Sequence, residues 1–100
     1  MTKVETLARY IQRRLKAGNQ PQVFGLPLIH KDLRVPRTPG GGSFIDNGLG
    51  NIRRAGMLRE VGRIRTGVYY VFTARAQFLM ERDPQILRRW ISRGKHWKAP

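Results

Sequence analysis

Val4, Leu7, Ala8, Ile11 and Leu15 recur at the i, i+3, i+4, i+7 spacing that lines one side of a helix. Arg9, Arg13 and Lys16 fall on the other side, which reads as a solvated face or a contact surface. The pattern predicts a helix over Val4–Lys16, stopped by Gly18-Asn19. Pro21, Pro27, Pro36 and Pro39 break up the following stretch, Gln20–Pro39. Within it, Val23-Phe24 reads as a short strand or an apolar plug. Leu28–Leu33 reads as a short helix with Pro27 near its first turn, ended by Pro36.

Thr38-Pro39-Gly40-Gly41-Gly42-Ser43 forms a flexible turn, with Ser43 suited to cap the next helix. A glycine-rich loop before a helix can cradle phosphate, but this one lacks the lysine and spacing of a nucleotide-hydrolysing loop. Phe44–Ala55 then reads as a helix closed by Gly56, with Ile45, Leu49 and Ile52 on its buried stripe. Asn47, Gly50, Asn51 and Arg54 fall on the opposite side, with Ser43 above them. Carboxamides and guanidiniums are the groups that pair with adenine and guanine edges in the major groove, although such a row is also found on ordinary surfaces. Gly48 and Gly50 each weaken the helix by about 1 kcal/mol relative to alanine, and permit close approach of DNA or of a neighbouring helix.

Met57–Thr73 reads as a hairpin, with strands at Leu58–Val61 and Val68–Phe72. The turn between them, Gly62–Gly67, carries Arg63, Arg65 and Thr66, which suit phosphate or minor-groove contact or keep the hairpin soluble. Thr73 caps a further helix through Gln77, Phe78, Leu79 and Met80. Asp83-Pro84 begins another, with Ile86, Leu87, Trp90 and Ile91 apolar and Gly94 at its end. That apolar face packs on its own domain or pairs with a second copy around Trp90. The tail Lys95–Pro100 reads as mobile, with Trp97 able to stack on a base.

Composition narrows the function classes. The chain has 100 residues, enough for one compact domain, and 40% hydrophobic residues, enough for a modest core. Twenty Lys+Arg stand against six Asp+Glu, a net charge of +14, and 15 of the 20 are arginine. Such density points to a polyanionic partner, nucleic acid first, because neutralised phosphates release counterions. Arginine rather than lysine favours forked contacts to phosphate and guanine. There is no cysteine, and His30 has no second histidine at ligand spacing, so no cofactor or metal is expected. The few carboxylates form no acid–base pair, which argues against an enzyme. No apolar run reaches the roughly 18–20 residues of a membrane span, and Met1–Thr6 lacks a signal-peptide core, so a cytoplasmic protein is expected.

The order helix, short apolar segment, helix, loop, helix, hairpin, closing helix resembles a winged helix-turn-helix domain. The telling stretch is Ile52-Arg53-Arg54-Ala55-Gly56-Met57-Leu58-Arg59-Glu60-Val61-Gly62-Arg63, followed by Val68-Tyr69-Tyr70-Val71-Phe72-Thr73. It is similar to the Ala-Gly exit from the recognition helix and the Tyr-Tyr strand of many winged-helix regulators. The resemblance covers residues 4–82, its specific part 45–73. It implies an α+β domain with a three-helix core and a two-stranded wing over residues 1–82. Residues 83–100 then form a C-terminal helix and basic tail in the same compact unit. It further implies recognition helix 44–55 in the major groove, Asn47, Asn51 and Arg54 reading bases, and Arg53 flanking them toward a phosphate. Arg63, Arg65 and Thr66 would lie in the wing over 62–67. The leading expectation is a small sequence-specific DNA-binding regulator of bacterial, plasmid or phage type. The others are an RNA-binding or ribosome-associated protein, with Tyr69, Tyr70, Trp90 or Trp97 as stacking platforms, and a phage-type binder of an acidic protein.

Overall fold

The computed structural model describes residues 2–17, 24–35, 43–65 and 67–98. The elements run α1 (Lys3–Ala17), β1 (Phe24–Gly25), α2 (Leu26–Leu33), α3 (Ser43–Arg54), β2 (Leu58–Ile64), β3 (Gly67–Phe72), α4 (Ala74–Arg82) and α5 (Ile86–Arg93), with a short 3-10 turn over Gly94–His96. The class is α+β, as the residue pattern predicts. The prolines 21, 36 and 39, the glycine-rich loop 38–42 and Thr66 lie outside the described residues.

The three strands form one antiparallel sheet in the order β1-β3-β2. The two-residue β1 is held by Phe24 opposite Tyr70 and Gly25 opposite Tyr69. At Gly25 a Cβ would stand 2.6 Å from the Tyr69 ring, so only glycine admits that ring there. The hairpin differs from expectation at its tip. The strands continue to Ile64 and restart at Gly67, so Arg63 is a ladder residue opposite Val68 rather than part of a wide turn. The turn is tighter because a bulge between Glu60 and Gly62 takes up one extra residue within the strand.

A single core gathers the apolar stripes of all the helices. Leu7 and Ile11 of α1, Ile29 of α2, Ile45 and Ile52 of α3, and Ile86, Leu87 and Trp90 of α5 are each closed to solvent, with Leu58, Tyr70 and Phe72 completing the layer. The radius of gyration, 12.7 Å, is close to the ~13 Å of a hundred-residue globule. Residues 83–98 therefore belong to the same body. Trp90 is 0% exposed, so of the two uses of that apolar face the packing on its own domain is seen. Trp97, read as part of a mobile tail, stands edge-on to Trp90 with ring centroids 5.6 Å apart. The 3-10 turn brings it back onto the core.

Helix ends follow sequence signals closely. α3 finishes in a glycine-capped turn, with Gly56 at φ +80 donating to the Arg53 carbonyl at 2.9 Å and Met57 to that of Ile52 at 3.3 Å. Thr73 accepts from the Ala76 amide at the start of α4, 3.1 Å away. Before α5, the Asp83 carboxylate accepts from the Gln85 amide at 3.0 Å. The helix itself starts at Ile86, two residues after the Pro84 start that the Asp-Pro pair suggests.

α1 and α5 are tied by a forked pair, Arg88 Nε and Nη2 donating to the two Glu5 carboxylate oxygens at 2.6 Å each. Hydrogen bonds from Arg88 first, then from Arg9, hold the Glu5 carboxyl down at about 2, below its ordinary 4.5. A carboxylate held below its ordinary value supports the fold fully above 4.5 and loses that support as pH falls toward 2. Melting temperature should therefore drop more steeply across that window in the natural chain than in Glu5→Gln. Parallel curves would show the pair to be idle. Gly94 has φ +54, and a Cβ there would lie 2.9 Å from Asn51 Oδ1, whereas Gly56 has open space around it. Both alanine variants bear backbone strain of about 1–3 kcal/mol. Gly94→Ala should lower the melting temperature further than Gly56→Ala, because it also collides with α3.

Candidate nucleic-acid interface

α3 is enclosed on two sides. Ile45, Leu49 and Ile52 point into the core, and Gly48 is pressed against α1 and α5. A Cβ at Gly48 would come within 2.4 Å of Leu7 Cδ2 and 3.3 Å of Ile91 Cγ2. Of the two uses its glycine permits, Gly48 thus serves the approach of neighbouring helices. The outward strip that remains carries Asn47, Gly50 and Arg54, with Asp46 and Arg53 along one border. Ser43 is the first residue of the helix, and its side chain lies outside the described part, as does Thr66.

Asn51 departs from the expected row. Its Nδ2 donates to the Ile91 carbonyl at 2.6 Å, and its Oδ1 accepts from Arg54 Nη1 at 2.8 Å. The reason is angular: Asn51 stands about 60° around the helix from Arg54, toward the border that α5 and the 3-10 turn overlap. A half-buried carboxamide with both ends engaged inside the protein is not free to read a base. Sequence periodicity places Asn51 correctly on the helix. It could not reveal that Gly94, in its unusual backbone conformation, lets the chain pass so close to that position.

On the other border of α3, Arg53 lies over the Tyr70 ring, 5.6 Å from its centroid. Tyr70 and Val68 share a face of β3, and Arg63 is the residue opposite Val68. Strict alternation from Leu58 would have turned Arg63 to the other face, with Arg59. The bulge at Val61 brings Arg63 round to the Arg53–Tyr70 side. Arg65 stands exposed at the tip. Neither the bulge nor the stacking of Arg53 has a signal in residue order. Glycine at 62 beside an alternating run is the only trace.

The angle between α2 and α3 has its own fastening. The His30 ring, 4% exposed, meets the Val35 carbonyl through Nδ1 at 3.1 Å and Asp46 Oδ1 through Nε2 at 3.0 Å. Of the two roles its sequence context allows, structural or surface, the buried and doubly bonded ring fits the structural one. Among the described residues no group of three metal-ligating side chains stands together, and no helix is long and apolar enough to cross a membrane.

Three of the six acidic residues pair with cations of the helical body: Glu5 with Arg9 and Arg88, Asp32 with Arg14, and Asp83 with Arg89. Tyr10 also donates to Asp32, and burial with that bond pushes the phenol up to about 12. Around the junction of α3 and the hairpin, Arg53, Arg54, Arg59 and Arg65 meet no carboxylate at ion-pair distance among the described residues. Arg63 reaches Glu60 only at 3.6 Å. The geometry offers a strip of amide and guanidinium groups beside an arginine-bearing ribbon, suited to a polyanion with regular spacing. Comparison with protein families, characterised proteins and solved structures gave no match.

Proposed function

We propose that this chain is a small double-stranded DNA-binding regulator of the winged helix-turn-helix type, with α3 entering the major groove and the β2–β3 hairpin gripping the backbone or minor groove. The observation that carries the reading is the junction where Arg53, stacked on Tyr70, and Arg63, turned by the bulge, share one side next to the exposed Asn47–Arg54 strip. The order of elements, three helices followed by a hairpin, supports it. So does the net charge of +14, with Arg53, Arg54, Arg59 and Arg65 meeting no carboxylate at ion-pair distance among the described residues.

Recognition of unstacked RNA bases needs exposed aromatic faces. Trp90 and Tyr70 are buried, and Trp97 packs against Trp90. Three of the four expected platforms are therefore engaged within the fold, which favours a duplex partner. On duplex DNA the α3 strip reads bases and the arginines of the hairpin neutralise phosphates.

Two measurements test this. In competition at matched salt, duplex DNA should displace structured RNA, with affinity falling steeply as salt rises. RNA winning, or affinity indifferent to salt, would contradict it. Arg53→Ala and Arg63→Ala should each weaken binding to all duplex sequences alike and reduce the salt slope by about 1. Arg59→Ala removes the same charge from the opposite face of the ribbon, where Arg59 pairs with Val71, and should have a smaller effect. Equal losses for all three would mean that only total charge matters.

A further inference from the structure

Arg54 is held in an unusually defined pose for an exposed side chain. Nη1 donates to Asn51 Oδ1 at 2.8 Å, while Asn51 Nδ2 donates to the Ile91 carbonyl at 2.6 Å. The two bonds fix the carboxamide the right way round, since a carbonyl needs the amide's donor and a guanidinium its acceptor. The same Ile91 carbonyl lies in the last turn of α5, where helix carbonyls lack partners of their own. Asn51 therefore anchors at one end in a rigid helix terminus. The guanidinium lies back along α3 over Gly50, where a Cβ would stand 3.5 Å from Nη1, 3.6 Å from Nη2 and 3.7 Å from Cζ. Backbone supports it from below and Asn51 from one side.

With Nη1 engaged, the edge formed by Nε and Nη2 remains, and no described residue accepts from it. That edge has a defined chemistry, visible elsewhere in this chain. Arg88 uses its own Nε and Nη2 to grip the two Glu5 oxygens at 2.6 Å each, so the edge takes two acceptors side by side. In the major groove a guanine presents such a pair, O6 and N7. Arg54 sits on the same outward strip as Asn47, whereas Arg53 and Arg63 occupy the border toward the hairpin.

We infer that Asn51 is a positioning residue rather than a base reader, holding the Arg54 guanidinium so that its Nε–Nη2 edge takes the O6/N7 pair of one guanine in duplex DNA. The inference rests on the proposed entry of α3 into the major groove. It goes further in naming the base, the donor edge and the residue that aims it.

The test starts from the duplex that the natural protein enriches from a random pool. Each guanine is replaced in turn by 7-deazaguanine, which pairs normally but lacks N7. One replacement should weaken binding by about tenfold in the natural chain and leave Arg54→Ala unaffected. Asn51→Ala should shrink that ratio to a few-fold in the Arg54 background and change nothing further in the Arg54→Ala background. Its loss of melting temperature should be no larger in the Arg54→Ala background, where the Asn51–Arg54 bond is already gone. Asn51→Asp keeps an acceptor for Nη1 while losing the donor to Ile91, so it should melt lower yet retain most of the ratio.

A merely structural Asn51 would instead weaken both duplexes equally in each variant, with the ratio intact, and that result overturns the inference. So does duplex binding in which no guanine depends on Arg54, although DNA binding itself then stands. Failure to bind any duplex at low salt removes both readings together.

Discussion

The packing of α5 across one flank of α3 decides which part of α3 meets solvent. Gly48 has no side chain, so Leu7 and Ile91 come down onto the helix backbone. Gly94 turns the chain in a conformation that side chains rarely adopt, and Asn51 bonds to Ile91 where the two helices cross. Trp90 fills the space between, and Trp97 closes it from outside. Three of the four sides of α3 are thereby accounted for by core, α5 and the Arg53–Tyr70 stack. The remaining strip is narrow, and its chemistry is that of a few named residues.

Electrostatics divides the molecule in a second way. Six carboxylates cannot neutralise twenty cations, and where they are placed determines where repulsion is left over. Glu5, Asp32 and Asp83 pair with Arg9, Arg88, Arg14 and Arg89 on the helical body, Asp46 with His30, and Glu60 with Arg63 within the hairpin. Arg53, Arg54, Arg59 and Arg65 beside the hairpin meet no carboxylate at ion-pair distance among the described residues, and neither do Arg13 of α1 or Arg75 and Arg82 of α4. Forked pairs such as Arg88–Glu5 work through paired hydrogen bonds as well as charge, and they help α1 and α5 stay together despite the net repulsion.

Much of this was legible in residue order, because the signals were local. The heptad-like spacing in α1, the Ala-Gly exit of α3, the Thr73 cap and the apolar face of α5 each depend on neighbours within a turn or two. What escaped depends on contacts between distant segments. Asn51 looks like Asn47 in sequence, and only the crossing of α5 separates a latch from an exposed amide. Arg63 reads as a turn residue until the bulge shifts its register. Trp90 reads equally as a core residue or a surface one on an amphipathic wheel, and the fold closes it to solvent. The expectation of a polyanionic partner rests on charge alone, since charge is additive along a chain. Which cations keep a carboxylate partner is not additive, since it depends on how distant segments meet once the chain has folded.

The most direct measurement is a map of backbone amide shifts as duplex DNA is titrated into the folded protein. The account predicts that shifts gather on Asn47, Gly50, Arg53, Arg54 and residues 59–65, while the exposed cations of α1, Arg9 and Arg13, stay largely silent. Shifts concentrated on α1 with α3 and the hairpin untouched would contradict it.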